Sequence, residues 1–199
     1  MAPKLFLSFL AAGLLLSGCV GNVRQGDVAR YDLGEVPFEW RDPGFPVQGV
    51  SVQAPSWLGT TAMHYRLAYA EAARRETYAE SRWIAAPGQL LETALNRRIG
   101  ASLSLGCRVS LELDEWVQQF DSPQSSRTRL QVRAALLPAH GDGALARQVF
   151  NVDAPASSAD ASGGVKAANT AVTILAGELG GWLEKVHKAS PAFVGRCKN

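Results

Sequence analysis

Between residues 165 and 186 apolar side chains recur every three or four positions: Val165, Ala168, Val172, Leu175, Leu179, Trp182, Leu183 and Val186. That spacing predicts one amphipathic helix of about six turns at 3.6 residues per turn. A helix with one apolar stripe must bury it against another layer. The rest of the chain supplies that layer with a different period. Val109, Leu111 and Leu113 alternate with Arg108, Ser110, Glu112 and Asp114, which is the pattern of a strand with one buried face. Trp116 falls out of phase with this alternation, so a bulge or twist is expected beside it.

Weaker alternations predict strands at 47–54, 62–69, 76–82, around Leu130 to Leu136, and at 145–152. Residues 29–34 read as a short strand or arm, and the Pro-rich stretch 34–46 as loop. Pro87 suits the first position of a helix whose stripe is Leu90, Leu91, Ala94, Leu95 and Ile99. Gly141-Asp142-Gly143 signals a hairpin, and Asp160 or Ser162 is placed to cap the last helix. Gly177 and Gly181, one turn apart, would let a neighbouring backbone approach. The order β-β-β-α-β-β-β-α implies one mixed sheet with two main helices, either both on one face or one on each.

The N-terminus is an address. Residues 5–16 form an apolar run of twelve after the single charge of Lys4. A helix of that length is too short for a hydrocarbon core that needs about 20 residues, but it fits a secretory signal. Leu16-Ser17-Gly18-Cys19 then matches the lipoprotein signal pattern, in which the Cys thiol takes a diacylglycerol, the chain is cut before it, and the new amine is acylated (palmitate is a typical chain). Two or more acyl groups make a stable anchor. An ordinary signal peptide with an incidental Cys is the other reading. Val20 rather than Asp after the Cys favours the outer membrane. The expected organisation is a signal peptide at 1–18, a lipidated tether at 19–28, a domain at 29–189 and a tail at 190–199.

Of the 199 residues, 20 are Lys or Arg and 18 Asp or Glu; removal of Lys4 with the signal leaves 19 − 18 = +1. Charge so small and scattered gives no case for nucleic acid. With Cys19 taken by lipid, Cys107 and Cys197 are left, and in an oxidising compartment they are expected to form a disulfide. A free buried Cys107 beside a mobile tail is the competing reading.

Nothing in the sequence assembles a catalytic, metal or cofactor site. His64, His140 and His187 lie far apart, and no GxSxG is present. Gly163-Gly164-Val165-Lys166 at a helix start hints at anion binding but lacks the spacing of a phosphate loop, and ordinary loop-to-helix glycines explain it better. Glu112, Asp114 and Glu115 read as a solvated face.

A set of motifs resembles the ABC-type transport auxiliary lipoprotein family. They are Tyr31-Asp32-Leu33-Gly34, residues 50–53 leading to Pro55, Trp57 and Leu58, Met63-His64-Tyr65-Arg66-Leu67, Tyr78, and Ser81-Arg82-Trp83 followed by Pro87 and Leu90-Leu91. Later ones are Phe120-Asp121-Ser122, Phe150, Val165-Lys166-Ala167-Ala168 and Trp182-Leu183. The resemblance implies a three-layer α/β fold with a mixed sheet of five or six strands, like anticodon-binding-like domains. It also implies a non-enzymatic outer-membrane lipoprotein facing the periplasm of a Gram-negative cell. Its partners would be an Mce-domain protein with permease and ATPase in a lipid transport system, and a homo-oligomer is compatible with that role. Trp57, Leu58, Tyr65, Arg66, Trp83 and Pro87 are the candidate interface or structural residues. The alternative is a periplasmic lipoprotein that carries lipid or a small hydrophobe in its own pocket.

Overall fold

The computed structural model describes residues 27–99 and 106–197, so Cys19 and the signal segment lie outside the described residues. Strands β1 (Ala29–Tyr31), β2 (Val47–Gln53), β3 (Ala62–Leu67) and β4 (Glu76–Trp83) precede helix α2 (Pro87–Ile99), with a one-turn helix α1 (Ala68–Glu71) between β3 and β4. Then come β5 (Cys107–Ser122), β6 (Ser125–Leu137), β7 (Ala146–Pro155), the long helix α3 (Ala161–Ala189) and a last turn α4 (Phe193–Arg196). The seven strands make one mixed sheet in the order β1-β4-β3-β5-β6-β7, with β2 also on β5. Six strand positions therefore span the sheet. The seventh strand arises because β2 and β3 share one edge of β5: β2 pairs parallel with residues 107–112 and β3 parallel with residues 118–120.

The expected slip at Trp116 is a register shift between Leu113 and Glu115. It sends Asp114 and Glu115 outward together and returns Trp116, Gln118 and Phe120 to the inner face. Both long helices cover that inner face. Leu111, Leu113, Leu130, Val132 and Leu136 join Leu91 and Leu95 of α2 and Leu175, Leu179 and Leu183 of α3 in one core cluster. The alternate residues of β5, β6 and β7 are half-buried or exposed, apart from Val117 of β5, which is buried. Over the helices runs a strap, residues 32–46, that buries Leu33, Val36, Phe38 and Phe45. Asn169 of α3 donates to the carbonyls of Leu33 and Glu35 at 2.7 Å, fixing the strap's start. Sheet, helix pair and strap are the three layers.

Asp160 is the cap of α3 and accepts from Gly163 N at 2.7 Å. That hydrogen bond, with one from Ser158, holds the Asp160 carboxyl below its usual range. Val172, Leu175, Leu179 and Leu183 are fully buried, while Val165 and Val186 are half-buried at the ends of the stripe. Leu179→Ala is therefore expected to cost about 2–5 kcal/mol, read as a fall in thermal midpoint. Exposed Lys166→Ala should stay within about 0.5 kcal/mol. The Gly177–Gly181 expectation is corrected: neither glycine has a neighbour near its Cβ direction. Close approach occurs at Gly163 and Gly164 instead, where a Cβ would overlap Ser158 and Gln118.

Candidate functional site

With one face of the sheet closed by helices, the other carries the molecule's ordered polar surface. Its side chains are the outward half of each alternation on β5, β6 and β7, and they pair across strands. Arg133 forks onto Asp114 at 2.7 and 2.8 Å and reaches Glu112 at 2.6 Å. Arg129 forks onto Asp153 at 3.0 and 3.1 Å, and Arg127 binds Asp121 at 2.7 Å. The Arg133 and Arg129 guanidiniums hold the carboxyls of Asp114 and Asp153 below the usual range. Exposed pairs of this kind, screened by solvent, add little to stability. Their main effect is to fix planar groups in a defined array on a twisted sheet.

The array continues to a corner built by the bulge. Glu115 accepts from Arg66 of β3 at 3.0 Å and from Arg75 at 2.6 Å. Arg75 also lies over the Trp57 ring, its guanidinium carbon 4.2 Å from the ring centre. Trp57 stands on a single 3-10 turn, Ser56–Leu58, that fills the gap between β2 and β3, and it is 42% exposed. Behind it, His64 Nε2–H donates to the Trp57 carbonyl at 3.2 Å. Burial and nearby Arg75 lower the His64 pKa, so the ring is neutral at neutral pH and suits that donor role.

The six candidate residues divide. Trp57 and Arg66 lie at this corner, whereas half-buried Tyr65 points to the other face of β3 and packs against Tyr78 and Phe120 at ring-centre distances of 4.8 and 5.9 Å. Leu58, Trp83 and Pro87 are buried and structural. Trp83 meets Trp116 edge to face at 5.7 Å, and Pro87 opens α2. Glu115 and Arg75, which organise the corner, were missed in the sequence because their partners lie 40 and 49 residues away.

An open cleft of about 580 Å³ lies where β1 meets the strap, lined by Arg30, Tyr31, Ile84, Lys166 and Asn169 among others. A small pocket between sheet and α3, at Met63, Tyr78, Trp83 and Trp116, has a volume of about 10 Å³. Among the described residues no group of three or more His, Cys, Asp or Glu is placed to hold a metal ion. No described helix is long and apolar enough to cross a membrane.

Fold and surface together define a mixed α/β domain with two long helices closing one face of the sheet and an ordered polar array on the other. The family model of the ABC-type transport auxiliary lipoprotein component matches residues 41–180, and the chain belongs to that family. A crystal structure of a Xanthomonas campestris protein described by the DUF330 family model is similar, with 15% identity, a TM-score of 0.65, and coverage of 83% of this chain and 97% of that one. A second crystal structure, of an uncharacterized protein, has 11% identity and a TM-score of 0.57 over 79% of this chain and 99% of that one. At such identities the likeness concerns the fold. No curated protein matches the chain.

Proposed function

We propose that the protein is anchored through Cys19 to the periplasmic side of the outer membrane and serves an Mce-type lipid transport system as its auxiliary lipoprotein. Signal peptide 1–18, tether 19–28, domain 29–189 and tail 190–199 are the organisation that goes with this reading. The observation that carries it is the family match over residues 41–180 in a chain whose residues 16–19 fit the lipoprotein signal pattern. The chain would act by docking, and the ATP-driven step belongs to permease and ATPase partners. An array of planar, paired Arg and carboxylate groups suits a wet, specific contact with a folded partner. The alternative, a carrier with its own lipid pocket, is less well supported: the seam between sheet and α3 leaves a pocket of only about 10 Å³, and the larger clefts, of about 410 to 580 Å³, are open at the surface.

Affinity isolation of the tagged full-length lipoprotein from crosslinked envelopes is expected to bring down an Mce-domain protein. Native mass spectrometry of the same preparation should show no retained acyl ligand beyond the covalent lipid. A retained lipid without an Mce partner would favour the carrier. For the anchor, Cys19→Ser is expected to move the protein from the membrane to the soluble fraction with an unchanged thermal midpoint. An intact mass that still begins at Met1 in the native host, with no added lipid, would defeat it.

A further inference from the structure

The fold closes its strand edges unevenly. The free edge of β2 is capped by side chains of α2: Val52 N donates to Glu92 at 2.7 Å, while Asn96 accepts from Val50 N at 2.9 Å and donates to Val50 O at 2.7 Å. The edge at β1 is only three residues long. At the other end of the sheet β7 presents ten residues, Ala-Arg-Gln-Val-Phe-Asn-Val-Asp-Ala-Pro, with no Lys and its single Pro at the last position. A long edge whose charges are confined to Arg147 and Asp153 near its ends, and whose Pro is its last residue, is a template for another strand.

The register decides which groups are available. Just past β7, Ala156 N donates to Ser126 O at 2.9 Å, which continues the β6–β7 register and puts its bonded positions at even-numbered residues. In an antiparallel ladder hydrogen-bonded and non-bonded positions alternate, so the N–H and C=O groups of Arg147, Val149, Asn151 and Asp153 face away from β6. Gln148 Nε2 donates to the Val149 carbonyl at 3.0 Å, which agrees with that direction. This exposed side chain is the one contact to be exchanged on pairing.

We propose that β7 pairs antiparallel with β7 of a second copy, about a two-fold axis through Phe150. The argument for a second copy is charge complementarity along the edge itself. In this register Arg147 stands opposite Asp153 of the second copy, twice by symmetry, and both residues project from the polar face. Val149, 47% exposed, stands opposite Asn151. Moving the register by two residues sets Arg147 against Pro155, which has no N–H, or against Asn151, which loses the ion pair. Arg147 has no ion-pair partner within the chain among the described residues. The outcome is one continuous sheet with both helix layers on one face and a doubled polar array on the other.

The test uses the full lipidated chain in detergent, with mass measured by light scattering after gel filtration. The wild type is expected to contain two chains per particle. Val149→Pro should contain one, and because the Val149 N–H points away from β6 the change removes no bond within the sheet. Arg147→Asp is expected to raise the dissociation constant by about tenfold or more, since it replaces two opposite-charge pairs by like-charge ones. Adding Asp153→Arg to it should restore dimerisation. Circular dichroism melts check that the variants fold, because Asp153→Arg also removes the partner of Arg129 and Arg127 and sets a third cation beside them. Wild type that stays monomeric at high micromolar concentration overturns the proposal and leaves the edge to a strand from another protein. A dimer indifferent to Val149→Pro overturns it as well.

Discussion

Gly164→Ala is expected to abolish a stable fold or to cost at least about 3 kcal/mol, the sum of overpacking and of leaving a buried amide unsatisfied. A Cβ at this position meets the Gln118 side-chain amide head on. That amide has little freedom to move, because Gln118 is only 5% exposed and every polar atom of its amide is engaged. Its oxygen accepts from Tyr78 OH at 2.8 Å, and its nitrogen donates to Ser126 Oγ at 2.8 Å and to the Asp160 carbonyl at 3.0 Å. Burial, with Asp160 nearby, pushes the Tyr78 phenol well above its usual range, so it remains a donor across the working pH. Next to this network Thr128 donates to the Gly164 carbonyl at 3.1 Å. Relief of the clash requires either breaking the network or lifting the start of α3 from the sheet, which opens the apolar seam below it. Gly177→Ala supplies the contrast. It is exposed in the same helix with open space around it, and it is expected to stabilise by up to about 1 kcal/mol through helix propensity. Urea denaturation of both variants measures the difference. A Gly164→Ala protein as stable as wild type would mean that helix and strand lie further apart than described.

The features legible in the sequence are those that one element carries alone. The alternation at Val109, Leu111 and Leu113 and the slip at Trp116 appear because side-chain direction along a strand is a local matter. The stripe of α3 and its Asp160 cap appear for the same reason. β5 and β6 run further than their apolar alternation suggests, because Gln118, Ser126 and Thr128 occupy inward positions with polar groups satisfied by hydrogen bonds. A polar residue on a buried face looks like an outward one until its partner is known. The shared edge of β5 was hidden likewise, since two short strands read as two separate sheet positions. Glycine gave the opposite error. Gly177 and Gly181 had helical spacing and no neighbour, whereas Gly163 and Gly164 had a loop-like context and a tight one. Among the six residues singled out as interface or structural, composition and spacing could not separate Trp57, held outside by Arg75, from Trp83, held inside by Trp116. Those assignments depend on partners that only the folded chain brings together.

Loss of the Cys107–Cys197 disulfide is expected to cost about 4–5 kcal/mol, the chain-entropy value for a loop of this length, which is 90 residues here. The two Cα atoms are 4.5 Å apart, within the range a disulfide spans. Both cysteines are buried, Cys107 at the start of β5 and Cys197 just after α4. The bond ties three things at one point. Cys107 N donates to Pro46 O at 2.9 Å where the strap enters β2, and the tail's Arg196 carbonyl accepts from Ala139 N at 3.0 Å on the far side of β6. Without the bridge only such hydrogen bonds and the burial of Cys197 hold the tail. The tail should then detach before the sheet unfolds, and the strap end should loosen with it. The Cys107→Ala, Cys197→Ala double variant avoids leaving a lone buried thiol, so its denaturation midpoint against wild type measures the bridge itself. In unreduced, denatured protein with Cys19 acylated, Ellman's reagent is expected to find no thiol, and two thiols would show that the bond does not form. Protein made in a reducing compartment should match the double variant, and it should gain the difference on oxidation. That ordering makes the bond a condition of full stability rather than an ornament of the folded state.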